Sequence, residues 1–402
     1  MIASTFTSGA KISIGCTPEA GESSTSPADR FAFKLFRELT RGQETSNVFF
    51  SPFSVMLCLL MVWEGASGET REAISRVLEI AGEELKAEQR PLRILKVQQL
   101  LSLALPVRGP GLEVAIVNSL WCSDQLKVQA AYLAEVNKNY AAEVFSIPMA
   151  EPQSLEQINS YVAQKTVGKI PQILHSVDPL LVLLVVNAIY FKALGHQPFE
   201  RRLTRMERFT AAGKDTIEVP LMHQHNEYSY YEERSFQAVR LTYQVGRVGM
   251  YVFLPAKDSS LPEFLQTATS AVWDRWLRSF RDTEGTLALP RFKVDYDVRL
   301  GPILADLGMG EAFLQETARF DHIAPPPPYL WLGEVIHRAV VEVNEEGTEA
   351  AAVTAMEMLN LDAISQPPPP PFTMIVDRPF FFAIRDDLSR TTLFMGAVNN
   401  PV

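Results

Sequence analysis

Apolar residues recur at a helical period in the first half of the chain and at a strand period in the second. Phe31, Leu35, Phe36 and Leu39 share one helical face, which predicts a helix over residues 27–39. A short strand over 47–50 leads into Ser51-Pro52, where proline fits the first helical position. The helix that opens there carries Leu57, Leu60 and Met61 and stops at Gly65. Further helices are expected over 69–78, 88–103, 130–140 and 155–167, with a strand over 112–121. From residue 180 strands dominate. The run 182–191 is apolar except for Asn187, as expected of a strand buried on both faces. Strands over 216–222, 236–243, 249–254, 286–294, 339–343 and 380–385 follow, with one helix over 297–307 set among them. Helices first and strands later, without a βαβ rhythm, imply an α+β fold with large, mostly antiparallel sheets. The proline tracts at 325–328 and 367–371 read as exposed extended segments.

Composition narrows the picture mainly by exclusion. The 402 residues are 47% apolar and 21% charged, which suits a large soluble core. A net charge of −10 argues against nucleic acid or an anionic membrane as the main partner. No apolar run reaches the roughly 18–20 residues of a membrane helix. Cys16, Cys58 and Cys122 are widely spaced and form no CxxC motif, so neither a disulfide framework nor a thiolate metal site is expected. Residues 1–27, rich in Ser, Thr, Gly and Ala without a period, read as a flexible leader. They lack the apolar segment of a secretory signal.

Catalytic chemistry leaves no signature. There is no GxSxG elbow, no HExxH, no phosphate-binding loop and no GxGxxG after a strand. His223 and His225 alternate at a strand end without an evident third ligand, which favours a structural or surface role over a metal site. No enzyme, metal or cofactor is expected.

The segment after the strand at 339–343 is more informative. Glu345, Glu346, Gly347, Thr348, Glu349, Ala350, Ala351, Ala352, Val353 and Thr354 read locally as a helix start. At period two, however, Thr348, Ala350, Ala352 and Thr354 fall on one face, all small and uncharged. Such a segment can slide between existing strands without burying bulk or charge. Gly347 supplies a pivot, and no proline interrupts the donors before Pro367.

Asn344 to Ala352 resembles the reactive-loop hinge of inhibitory serpins. Met374-Ile-Val-Asp-Arg-Pro-Phe-Phe-Phe-Ala-Ile384 is similar to that family's C-terminal signature, and Leu393-Phe-Met-Gly396 with Asn400-Pro401 to its closing strand. Upstream, Asn47-Val-Phe-Phe-Ser-Pro-Phe-Ser54, Asn187-Ala-Ile-Tyr-Phe-Lys192, Pro198-Phe-Glu200, Leu289-Pro-Arg-Phe-Lys293, Leu307-Gly-Met309 and His337-Arg-Ala-Val-Val-Glu-Val343 match further family blocks in order. The resemblance implies one serpin domain over 28–402, with three β-sheets, about eight or nine helices and an exposed reactive-centre loop at about 345–371. It implies a metastable suicide inhibitor of serine proteases whose cleaved loop inserts into the central sheet, the alternative being a non-inhibitory carrier, chaperone or storage protein. It also implies that Ser51, Ser54, Asn187 and His337 form a shutter cluster beneath the insertion gap.

In such inhibitors the cleaved bond lies about sixteen residues beyond the first hinge Glu, which places it at Leu361-Asp362, with Met358, Leu359 and Ile364 as other positions. An apolar Leu361 suits a chymotrypsin-, elastase- or subtilisin-like target, or a papain-like cysteine protease. The expected protein is an extracellular monomer, with a cytoplasmic location as the alternative. Three departures stand out. Gly195 occupies a position where the family usually carries tryptophan. The tract at 367–371 lengthens the loop. No basic cluster resembles a heparin site, so no glycosaminoglycan cofactor is expected.

Overall fold

The computed structural model describes residues 26–80, 112–140, 142–193, 195–243, 246–345 and 370–402. Helix α1 (Pro27–Thr40) begins where Ser26 accepts from the Asp29 N–H at 3.0 Å, with Pro27 at the first position. After strand β1 (Val48–Phe50), Ser51 caps α2 (Pro52–Gly65) by accepting from the Ser54 N–H at 3.1 Å. Helix α2 is apolar around nearly its whole circumference, and it is accordingly buried. Next come α3 (Gly68–Val77), β2 (Leu112–Ser123), α4 (Ala130–Tyr140), β3 (Glu143–Ile147), α5 (Pro152–Lys165) and β4 (Leu183–Ala193).

The second half is built of β5 (Arg205–Thr210), β6 (Thr216–Glu233), β7 (Phe236–Thr242), β8 (Val248–Pro255), α6 (Leu261–Thr267), α7 (Ser270–Ser279), β9 (Arg281–Pro290), β10 (Phe292–Arg299), α8 (Gly301–Leu304), β11 (Glu334–Val343), β12 (Phe372–Ile375), β13 (Phe380–Asp386) and β14 (Thr391–Val398). The described residues thus form eight α-helices and two hydrogen-bonded sheets. The α+β architecture agrees with the sequence expectation. The long strand β6 pairs with β7 through Ser229–Glu233 and with β9 through Leu221–Tyr230, so two lobes of strands join as one nine-stranded sheet. The other sheet has five strands in the order β10-β11-β4-β2-β3.

Some expectations change. Residues 297–299 were expected to open a helix but belong to β10, where Asp297 is paired with Arg338 of β11. The helix begins only at Gly301, because cross-strand pairing outweighs the local pattern. The strand expected over 286–294 divides at Arg291 into β9 and β10. Strands β3 and β5 and helices α6 and α7 were not expected, although Ser260 and Glu263 form a capping box at the start of α6 and Trp273 and Trp276 share the buried face of α7. The helix expected over 88–103 lies outside the described residues, as do Cys16 and all but the last two residues of the leader.

Three apolar clusters flank the five-stranded sheet. Trp121, Val186, Ala188 and Val340 face Ile158 and Val162 of α5 on one side. On the other side, Leu120, Leu183, Val185 and Val335 pack with α1 and α2, and Ile189, Phe191, Ala339 and Val341 pack against the nine-stranded sheet. The alternation assigns each strand residue to one of the sheet's two faces.

Candidate functional site

The period that puts Val185, Ile189, Val335 and Ala339 on the α2 side puts Asn187 and His337 there too. These two residues are register partners across the parallel pair β4 and β11, and Asn118 of β2 is the partner of Asn187 on its other side. Three polar residues therefore lie abreast on adjacent strands, all essentially buried. Above them sits the first turn of α2. The His337 Nε2 accepts from the Ser51 N–H at 3.2 Å, so its proton resides on Nδ1, which donates to Asn187 Oδ1. The Asn187 amide nitrogen in turn donates to Ser54 Oγ and to Asn118 Oδ1 at 2.6 Å. Ser51 Oγ donates to the Leu393 carbonyl of β14 at 2.7 Å, and the Cys58 thiol points at Asn118 Oδ1 at 3.2 Å. One hydrogen-bonded chain ties β2, β4, β11, α2 and β14 together in an apolar surrounding, where each lost bond is costly.

Burial alone pushes the His337 pKa down to about 3, so the imidazole is neutral. That agrees with its acceptor role at Nε2. The Cys58 thiol is pushed upward by burial, which makes it inert rather than nucleophilic.

The parallel ladder between β4 and β11 ends at Phe191 and Val341. Beyond it a cleft of 320 Å³ opens, bordered by Gly195, Tyr243, Glu342 and Glu345. Glu345 is 7% exposed and closes the far end of β11. Its carboxylate accepts from Thr204 Oγ1 at 2.8 Å and lies 3.6 Å from the Arg291 guanidinium. Burial works to raise the Glu345 pKa, but its own backbone N–H, the Thr204 hydroxyl, Arg291 and Arg201 together hold it below the usual range. Lys192 Nζ approaches Glu342 at 4.0 Å across the same mouth. Gly195 leaves its part of the cleft open, since a Cβ there would meet nothing nearer than the Gln197 carbonyl oxygen at 3.5 Å.

The structure brings Ser51, Ser54, Asn187 and His337 into one hydrogen-bonded group. Glu345 is placed at the end of β11. Glu346, Gly347, Thr348, Glu349, Ala350, Ala351 and Ala352, together with Leu361 and Asp362, lie outside the described residues. The reading missed Asn118, although a lone Asn on the same strand face as Leu120 was the available signal. It also missed Thr204 and Arg291, which meet Glu345 only through the tertiary fold. His223 pairs with Glu207 at 2.9 Å, and His225 with Glu284 at 3.0 Å. Among the described residues, no group of three or more metal-ligating side chains stands together, and no helix is long and apolar enough to cross a membrane.

This fold and cluster define a class. The family model described as serpin (serine protease inhibitor) matches residues 26–401, and the chain belongs to the serpin family. It is 34% identical to an uncharacterised serpin-like protein of Thermococcus kodakarensis over 373 residues, covering 92% of this chain and 84% of that one. It is 30% identical to leukocyte elastase inhibitor A of Mus musculus, covering 92% and 97%. Its structure superimposes on human thyroxine-binding globulin complexed with thyroxine with a TM-score of 0.79 and 28% identity, covering 94% and 98%. The family relatives therefore include an inhibitor and a binding globulin.

Proposed function

We propose that this serpin is a suicide inhibitor of serine proteases, with residues 345–371 as its reactive loop. In this reading the target's nucleophile attacks the Leu361 carbonyl carbon. An acyl-enzyme forms, and the amino group of Asp362 leaves with the proton it needs. The freed strand then enters the five-stranded sheet and carries the protease with it.

The observation that carries the reading is the β4–β11 junction. These strands pair in parallel, while their outer neighbours β2 and β10 run antiparallel to them. A chain turning back at Glu345 would run antiparallel to both strands. Its insertion would replace one parallel ladder with two antiparallel ones, a gain in backbone pairing. The ladder's open end lies beside Glu345, where such a strand would start. The bond between His337 and Asn187 crosses the two strands that must part, so we assign Ser51, Ser54, Asn187 and His337 as the shutter that holds them.

The small uncharged face of Thr348, Ala350, Ala352 and Thr354 favours this reading over that of a carrier. An apolar Leu361 favours a chymotrypsin-, elastase- or subtilisin-like target acting outside the cell, with a papain-like cysteine protease as the second choice. The test is incubation with chymotrypsin, elastase, subtilisin and papain, read on a denaturing gel. An SDS-stable complex with a new N-terminus at Asp362 is expected. Clean cleavage without complex across the whole panel would overturn the proposal.

A further inference from the structure

The 320 Å³ cleft at the end of the β4–β11 ladder lies where two other strands part. Strands β6 and β7 pair only as far as Ser229 and Arg240, and the space beyond that pair is open. Phe199, Leu241, Met250 and Leu289 give it apolar walls. Its volume is just above the ~300 Å³ at which sites for small organic ligands begin. Tyr243 borders it, 7% exposed, with its ring edge-on to Phe191 at 5.6 Å. A tyrosine so deeply buried normally bonds its hydroxyl, yet this one has no hydrogen-bond partner among the described residues. Among those residues, the unbonded side-chain atoms closed to solvent are Trp273 Nε1, Trp276 Nε1, Arg385 Nη1 and Asn399 Oδ1. The Tyr243 oxygen is not one of them. It therefore opens to solvent, and the cleft is the solvent space that Tyr243 borders. Burial alone raises its pKa, so the group is a neutral hydroxyl that can accept as well as donate.

The charges around the cleft do not cancel. Its one guanidinium, Arg240, is held by Asp387 at 2.7 Å and by Thr242 Oγ1 at 2.6 Å. Glu345 is engaged by Thr204 and Arg291, and Glu342 by Asn344 and Lys192. Glu227 and Asp282 also line the cleft, and neither has an ion pair among the described residues. A carboxylate ligand would meet these two, and a purely apolar one would leave the Tyr243 hydroxyl unbonded. We propose that this cleft binds a small amphipathic amine. Its apolar body lies on Phe199, Leu241 and Met250, one ammonium N–H donates to the Tyr243 oxygen, and the charge faces Glu227 and Asp282. Such an occupant stands where the returning strand would enter, so it acts as a brake on insertion. The brake rests on the proposed function, whereas the binding does not.

Isothermal titration calorimetry of the full chain with 4-phenylbutylamine tests the site. Saturable one-to-one binding is expected, and it should weaken about tenfold for 4-phenylbutanol, which lacks the charge. Tyr243→Phe removes only an unbonded hydroxyl, and Gly195→Trp fills the cleft. Each should weaken binding of the amine about tenfold without lowering the thermal midpoint. Absence of saturable binding overturns the proposal, as does binding that either variant leaves unchanged or that the alcohol matches. The brake is read separately, as the rate of SDS-stable complex formation with a target protease. The amine should slow the wild type at least twofold and Tyr243→Phe far less, whereas an action of the amine on the protease would slow both alike and overturn the brake. An unchanged rate with the amine bound also overturns it. Absence of complex without the amine would overturn the inhibitory reading alone and leave the calorimetric result standing.

Discussion

His337 and Asn187 face one another in register across the parallel strands β11 and β4, and the imidazole Nδ1–H donates to the Asn187 side-chain oxygen. The opposite ring nitrogen accepts from the Ser51 N–H, so the ring closes the space between two strands and a helix. Removing it orphans a buried donor and a buried acceptor at once. His337→Ala should therefore cost about 2–4 kcal/mol of stability, the sum of two unsatisfied buried groups and a small cavity. Urea titration of the two proteins at pH 7.5 measures this. A loss below ~1 kcal/mol would mean that the network does not hold the strands.

The same ring gives the stability a pH dependence of defined sign. In the unfolded chain a histidine takes up a proton below its ordinary pKa near 6.5. In the folded chain burial delays this until about 3. Between those values the unfolded state binds more protons, so stability rises with pH up to about 6.5 and is lost as pH falls. The slope for one group is about 1.4 kcal/mol per pH unit. Urea midpoints at pH 7, 6 and 5 should decline more steeply for the wild type than for His337→Gln. Parallel declines would show that His337 protonates while folded.

The strands and helices that frame this cluster were readable from the sequence because their periods are strong. Asn187 stood out as the one polar residue of an apolar strand, and Ser51-Pro52 as a helix start. The way those residues meet was not readable. Asn118 looked like an ordinary strand residue until register placed it beside Asn187. Arg291 fell inside one strand expected over 286–294, and nothing local places it beside Glu345 at the end of β11. The helix expected over 297–307 starts late, at Gly301, for a related reason: the pairing of β10 with β11 decides residues 297–299, and no local pattern records it.

Glu345 and Arg291 illustrate how modest a visible ion pair can be. The guanidinium is half exposed, at 52%, and the carboxylate is 6% exposed, so solvent screens the pair only on one side. Arg291→Ala should cost about 0.5–1 kcal/mol. Glu345→Gln keeps the Thr204 contact while losing the charge, and it should cost a similar amount. The double variant should be less destabilised than the sum of the two, with a coupling of about 0.5 kcal/mol. Additive losses in thermal or urea unfolding would show that the residues are neighbours without being partners. The carboxylate is held below its usual pKa range, so its contribution is present above the unfolded value near 4.3 and disappears as pH falls through the folded one.

Under the proposed mechanism, residue 348 must pass into the sheet interior after cleavage. Thr348 can do so because it is small and uncharged. Thr348→Arg asks a guanidinium to enter an apolar layer, at a cost of several kcal/mol. The variant should be cleaved by the target protease as an ordinary substrate, with little SDS-stable complex, while its thermal stability before cleavage stays unchanged. Undiminished complex formation would show that the face carrying Thr348 does not point inward.

Gly195 offers the opposite kind of change, one that adds contacts. It borders the 320 Å³ cleft beside Glu345, where the β4–β11 ladder has already ended. The backbone there tolerates a side chain, since a Cβ would make only an ordinary 3.5 Å contact with the Gln197 carbonyl oxygen. Gly195→Trp should lay an indole against Tyr243 and Leu241 and fill part of the space into which the returning strand would move. Partial burial of so large an apolar group stabilises by about 1–2 kcal/mol. The thermal midpoint should rise, whereas Gly195→Ala should change it little. If the cleft is also the mouth of the insertion gap, Gly195→Trp should slow the formation of protease complex as well. A raised midpoint with an unchanged rate of complex formation would separate the two roles and place the mouth of the gap elsewhere along β4 and β11.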